Sequence, residues 1–422
     1  MGTRTTAFHG WRVVWAAFVL AIFGWGSGFY GPPVFLKVLH EQRGWPIALI
    51  STAVTVHFLV GAYIGGNMPA LHRRFGAAAV TRACSLAMAA GLVVWATAFE
   101  PWQMFVASLL SGSGWGGMSA AALNAIVAPW FVRGRPSALG MAYNGGSIGG
   151  VIFSPLWVAM IAGLGFANAA MVVAVTLMAI LWVLAGCYLA RTPEQMGLLP
   201  DGDAAGDPPG SVTSLLARPL PGSMLWRDRR FVTLASAMTL GLFAQIGLIA
   251  HLYSLLAPAL GAQAAGFAMA LITVMAIVGR TLLGWIMPID ADRRRIACAG
   301  YAAQVSGSIM FWLAGGESIG LLLGGVVLFG LGFGNATSLP PLIAQVEFVN
   351  DEVSRAVALV VGIAQATYAF APATFGLIRA FASPSASAAS AAPAPGAAPY
   401  VFALAALLQG MAIVALLAGR RR

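Results

Sequence analysis

The chain has 422 residues, of which 59% are hydrophobic and 9% charged, with a mean hydropathy of +0.85. A soluble globular domain carries about 25% charged residues, so this composition excludes a water-facing surface over most of the chain. The formal charge of +10 points to membrane topology and not to nucleic acid, because the basic residues are confined to one set of breaks between apolar runs.

Crossing a bilayer as a helix takes about 20 apolar residues. Spans are predicted at 11–37, 46–71, 77–99, 102–130, 137–163 and 167–190, then 231–258, 263–289, 296–315, 318–345, 355–380 and 398–419. Residues 1–11 lack the short apolar core and small-residue cleavage site of a signal peptide, so the first span is expected to be retained. Among the 23 Lys and Arg residues, only Lys37, Arg43, Arg379 and the intramembrane Arg280 depart from one side of this arrangement. Short basic loops stay in the cytoplasm, which gives an even number of spans and two cytoplasmic termini in a plasma (bacterial inner) membrane.

Between the sixth and seventh spans, residues 191–230 hold Pro193, Pro200, Pro208, Pro209, Pro219 and Pro221 with Asp201, Asp203 and Asp207. Such a segment reads as a polar, Pro-rich linker. It divides the chain into an N-terminal six-helix half (1–190), a cytoplasmic linker (191–230) and a C-terminal six-helix half (231–422). The Ala/Ser/Pro stretch 382–397 reads as a flexible loop on the opposite face. Cys84, Cys187 and Cys298 fall inside apolar spans and read as small buried hydrophobes, with no disulfide framework and no metal site.

The halves echo each other. Basic loops follow the second span (His72-Arg73-Arg74) and the eighth (Asp290 to Arg295), and glycine runs occupy the fourth (Gly112 to Gly117) and tenth (Gly330 to Gly334). Arg135-Pro-Ser-Ala-Leu before the fifth span matches Arg355-Ala-Val-Ala-Leu before the eleventh after a one-residue shift. Two parallel repeats are the plan of major facilitator transporters. Gly and Ala are also simply common in membrane helices, so the shared order of the matches carries the argument.

The run from Trp130 to Gly149, with Arg133-Gly-Arg135-Pro136, Ala138, Gly140, Ala142, Gly145 and Gly149, resembles a signature of the monocarboxylate-porter branch of the major facilitator superfamily, which includes oxalate–formate-type exchangers. Gly10-Trp11-Arg-Val-Val with Phe35-Leu-Lys37 looks like that branch's first helix, and Gly279-Arg280 with Gly284 like its eighth. The resemblance implies an all-α membrane fold of about twelve helices in two pseudo-symmetric halves that transports by alternating access. There are departures. The superfamily's Asp in the loop after span two is replaced by His72-Arg73-Arg74. A mid-membrane Lys of the animal carriers falls near Phe29 or Tyr30, and an Asp one turn before the eighth-helix Arg falls on Ala276.

Arg280 is the leading candidate for substrate binding. It lies about nine residues, roughly 13 Å at ~1.5 Å per residue, from the cytoplasmic end of its predicted span. A guanidinium at that depth costs about 3 kcal/mol on insertion scales. The 13 acidic residues all fall in loops or at span ends, so an anionic substrate is the simplest partner for its planar fork. The competing structural role is hydrogen bonding to backbone carbonyls at a helix break. A single cation favours a monoanion. The second cation that oxalate-exchanging relatives carry in helix eleven is absent, with Gln365, Thr367 and Tyr368 there instead. Tyr30, Asn144, Asn335, Gln365 and Tyr368 are candidates to orient the substrate, or else to bond helix to helix; Trp25, Trp115 and Phe333 are candidates to flank it. His57 and His251 are the titratable candidates for proton coupling, against packed or hydrogen-bonded roles. Facilitated diffusion, exchange, or entry of a proton with the carboxylate are the alternatives. Arg73, Arg74, Arg293, Arg294 and Arg295 are assigned to the cytoplasmic face, as a latch against helix ends or as topology alone.

The expectation is therefore a monomeric, cofactor-free carrier, not an enzyme, for a small organic anion of lactate or pyruvate type, with protons as a candidate co-substrate. Exchange or export of another amphiphilic acid, an aromatic acid, a siderophore or a drug is the rival transport reading. A non-transporting membrane sensor is the rival from another class.

Overall fold

The structure is a computed structural model, and it describes residues 8–132, 134–202, 225–286, 291–348, 350–381 and 398–420. Arg133, most of the linker, Asp290, the 382–397 loop and the last two arginines lie outside the described residues, as do the side chains of Gln345 and Arg355. All regular structure among the described residues is helical. In lipid, a backbone must satisfy its own polar groups, which a helix does within one segment.

Seventeen α-helices are described. The first nine are α1 (His9–Gly28), α2 (Gly31–Arg43), α3 (Ile47–Gly66), α4 (Met68–Phe75), α5 (Ala77–Thr97), α6 (Pro101–Met118), α7 (Ala120–Val127), α8 (Arg135–Leu164) and α9 (Phe166–Tyr188). After the linker come α10 (Arg229–Leu260), α11 (Ala262–Ile286), α12 (Arg293–Ala314), α13 (Ile319–Phe333), α14 (Asn335–Glu347), α15 (Asn350–Tyr368), α16 (Ala371–Phe381) and α17 (Ala398–Ala418). Among the described residues, eleven spans are long and apolar enough to cross a membrane. The predicted fourth span is not among them. It is the pair α6–α7, broken at Ser119, and its glycine run lowers its hydropathy.

Five predicted spans are discontinuous: the first at Phe29–Tyr30, the second at Asn67, the fourth at Ser119, the tenth at Gly334 and the eleventh at Ala369–Phe370. Elsewhere the joints are abrupt. Gly165 (φ 78°) joins α8 to α9 and Gly261 (φ 82°) joins α10 to α11; a side chain is strained in that backbone region. Asp228 and Asp292 cap α10 and α12 through the amides of Arg230, and of Arg294 and Arg295, as short acidic side chains do at helix starts.

The contacts gather into two units, one of residues 1–35 and 56–211 and the other of 36–55 and 212–422. Segment 36–55, which the sequence assigns to the first half, gathers with the second unit. There the first turns of α3 meet α16: the Ala373 amide donates to Thr55 Oγ1 at 3.2 Å, and a Cβ on Gly376 would lie 2.5 Å from Ser51 Oγ.

Within each unit the glycine runs are packing faces. A Cβ on Gly114 of α6 would lie 2.6 Å from the Met88 nitrogen of α5, and one on Gly145 of α8 would lie 2.1 Å from the Phe18 oxygen of α1. In the second unit a Cβ on Gly279 of α11 would lie 2.1 Å from the Leu331 oxygen of α13. Membrane helices lack a hydrophobic drive to associate, so close backbone approach supplies the packing. The three cysteines are free; Cys84 is buried as expected, whereas Cys187 is on the exposed face of α9.

Candidate functional site

A broken span exposes carbonyls and amides that the helix no longer pairs. In this chain carbonyls on either side of the breaks, some of them also within a helix ladder, receive side-chain N–H or O–H groups from neighbouring helices. At the end of α1, Trp157 Nε1 donates to the Gly26 oxygen at 3.0 Å and His57 Nε2 to the Gly28 oxygen at 2.9 Å. At the α6–α7 break, Tyr143 Oη donates to the Ala120 oxygen at 3.2 Å. At the α13–α14 break, three successive carbonyls are capped. Gln304 Nε2 reaches Gly332 at 3.1 Å, Gln245 Nε2 reaches Phe333 at 3.3 Å, and Arg280 Nε reaches Gly334 at 3.3 Å. At the start of α16, His251 Nε2 donates to the Pro372 oxygen at 3.0 Å.

This pattern locates the sequence-predicted residues. Arg280 is partly buried on α11 and tied through Nε to the break, the structural role weighed against substrate binding. The predicted end of its span at 289 lies outside the described residues. Asn335 opens α14 and is 4% exposed; its Nδ2 donates to the Leu331 oxygen at 3.3 Å, and its Cβ faces Gly300 of α12. Asn335 thus points into the second unit's interior. Gln365 and Tyr368 are partly buried, one turn apart on α15, and hydrogen-bonded to each other. In the first unit, Tyr30 sits at the α1–α2 break, 4% exposed, its ring 4.9 Å from that of Phe29. Asn144 is on an exposed face of α8. Trp25 and Trp115 meet edge-on with centroids 4.9 Å apart.

Both candidate proton carriers are held on both ring nitrogens. A carbonyl only accepts, so His57 carries its proton on Nε2, and its Nδ1 accepts from Ser111 Oγ at 2.8 Å. Trp95 Nε1 completes the chain by donating to Ser111 Oγ at 3.1 Å. His251 repeats the logic. Nε2 donates to Pro372, and Nδ1 accepts from Arg379 Nη1 at 3.2 Å, since a guanidinium only donates. Arg379, which the sequence places with the loop cations, is 4% exposed and also donates to Ser254 Oγ at 2.7 Å. Its position within the predicted eleventh span was the available signal for this burial.

The predicted latch residues divide. Arg73 and Arg74 are exposed on α4, and Arg295 is exposed on α12. Arg293 donates to the Leu342 oxygen. Arg294, assigned to the cytoplasmic face, is 2% exposed and makes five hydrogen bonds inside the second unit. Its Nε and Nη2 grip Glu347 at 2.5 and 2.8 Å, and its other bonds reach Thr233 Oγ1 and the Arg230 and Leu416 oxygens. The Glu347 carboxylate and the C-terminal carbonyl of α17 explain how the charge tolerates burial. Nearby, burial alone would raise the Asp292 carboxyl. The Arg295 amide, the Arg420 guanidinium and the Arg294 amide together pull it below the ordinary carboxylate value.

Sequence reasoning also missed Asp201. Its carboxylate accepts from the Val132 and Gly134 amides at 3.0 Å each, so the start of the linker docks on the loop before α8.

The family profile described as Major Facilitator Superfamily matches residues 14–372. No curated protein sequence matches the chain. Among solved structures, a variant of the nucleoside transporter NupG is 14% identical with a TM-score of 0.72, covering 98% of this chain and 100% of that one. A bacterial homologue of the human lysosomal transporter Spinster, inward-facing and occupied, is 13% identical with a TM-score of 0.66, covering 96% and 93%. At such identities the likeness is one of fold.

Proposed function

The chain belongs to the Major Facilitator Superfamily, and from that premise we propose that it carries a small organic monoanion, of monocarboxylate type, across a membrane by alternating access. The observation that carries this reading is Arg280, a cation on a membrane-spanning helix whose Nε is tethered to the Gly334 carbonyl. The tether orients the guanidinium plane, and a guanidinium offers paired N–H groups in the geometry a carboxylate accepts. All acidic residues lie outside the candidate spans except Glu41, near the end of the first. Gln365 and Tyr368, adjacent on α15, suit orientation of the anion's polar substituents. The branch signature around Arg135 and the positive-inside distribution favour a monocarboxylate-porter relative with both termini cytoplasmic.

Uptake into proteoliposomes tests this. Radiolabelled lactate and benzoate are expected to enter saturably and to compete with each other, whereas the uncharged lactamide does not compete. Equal competition by lactamide would show that charge is not recognised and would overturn the anion assignment.

A further inference from the structure

The capping at the α13–α14 break is one-sided. The carbonyl end of α13 receives Gln304, Gln245 and Arg280, but the first turn of α14 has no side-chain cap for its amides. The side chain best placed at that start is Asn335. Its orientation is set by the preceding half-helix, because Nδ2 faces the Leu331 carbonyl of α13. Its Oδ1 therefore faces the other way, buried and with no hydrogen-bond partner. Stranding a buried acceptor costs about 1–3 kcal/mol, and this one borders a narrow cavity inside the second unit. Tyr301, Gln304, Gly300, Gly332, Leu339 and Asn335 are among its lining residues. Its free space is about that of one water.

We propose that this cavity is a water site, and that one ordered water donates to Asn335 Oδ1 while bonding the Tyr301 hydroxyl or an α14 amide. Water fits because the position needs a donor toward Oδ1 and an acceptor toward N–H groups, and no apolar or purely cationic ligand supplies both. A sodium ion suits it less. The amides of Gln304 and Gln245 and the Arg280 guanidinium already crowd the break with positive hydrogen-bonding ends, and among the described residues no carboxylate lines the cavity. The water ties the two half-helices where the backbone ladder is interrupted, beside the carbonyl that anchors Arg280.

Gly300 makes the site testable without disrupting the fold. A Cβ there meets only the Asn335 Cβ, at an ordinary 3.6 Å, so Gly300→Ala projects a methyl into the cavity while raising helix propensity. Thermal unfolding of the full chain in detergent is measured for Gly300→Ala in the native background and in Asn335→Leu, with Asn335→Ala as the second background should the leucine variant not fold. With water present, the methyl expels it and strands Oδ1, so Gly300→Ala lowers Tm by about 2 °C or more in the native background. It raises Tm once Asn335 is apolar. A rise in both backgrounds means a dry cavity and overturns the proposal. Stabilisation of the native chain by sodium chloride over choline chloride, lost in Asn335→Leu, identifies a cation site and overturns it as well. None of these outcomes depends on what the protein transports.

Discussion

Buried polar residues in a membrane helix are expensive unless paired, and here His57, His251 and Arg294 are each paired at particular atoms. His57 closes Gly28 with one ring nitrogen and takes the Ser111 proton with the other. Replacing it by leucine leaves both the carbonyl and the hydroxyl chain without that partner. His57→Leu is expected to lower stability by about 1–3 kcal/mol, read as a fall in Tm in detergent; an unchanged Tm would show that the pairing contributes nothing. At this scale the sequence was only half legible. The chemistry of Arg280, His57, Asn335 and Tyr368 follows from residue type and depth. Their partners do not, because the bonded groups are far apart in the chain: 29 positions between His57 and Gly28, 54 between Arg280 and Gly334, 121 between His251 and Pro372. No local spacing rule reaches across such distances.

Helix ends carry the second layer of organisation. Arg294 gathers the start of α10 and the ends of α14 and α17 around Glu347. Removing one member of a buried ion pair strands the other, at about 3–5 kcal/mol, whereas an apolar replacement of both is often tolerated. Arg294→Met alone is therefore expected to unfold at markedly lower temperature, and Arg294→Met with Glu347→Leu to recover most of the loss. Additive losses would contradict the pairing. The Asp292 cap gives a pH signature. Its folded carboxyl titrates below the ordinary value, so its contribution is present above the unfolded pKa of about 3.9 and is lost as pH falls through the lower folded value. The Tm gap between the native chain and Asp292→Asn should be open at pH 7 and close below about pH 4; a gap independent of pH would exclude a charge-dependent cap. The glycine runs announced close packing, and the structure shows it at Gly114 against Met88 and at Gly330 against Ile272. The breaks at Phe29–Tyr30 and Gly334 were hidden, since Gly and aromatic residues are equally at home in an unbroken membrane helix. Asp201 was hidden too, because a carboxylate in a Pro-rich stretch looks like solvent-facing linker until its partners at Val132 and Gly134 are seen.

For the whole molecule, hydropathy carries most of the weight. A chain with 9% charged residues has few alternatives to a helical membrane protein, and its superfamily membership agrees with the order of its repeats. The substrate is harder to read, because specificity rests on a few groups while the fold rests on hundreds of apolar atoms. The account's central claim is that the Arg280 guanidinium receives the transported anion. The most direct test is lactate counterflow in proteoliposomes for the native chain beside Arg280→Lys, with the amount of inserted protein matched. A lysine keeps the charge but loses the planar fork and the Nε tether to Gly334. The account predicts at least a tenfold loss, on the order of the 1.4 kcal/mol that a charge-assisted hydrogen bond contributes. Counterflow at the native rate and affinity in Arg280→Lys would contradict it.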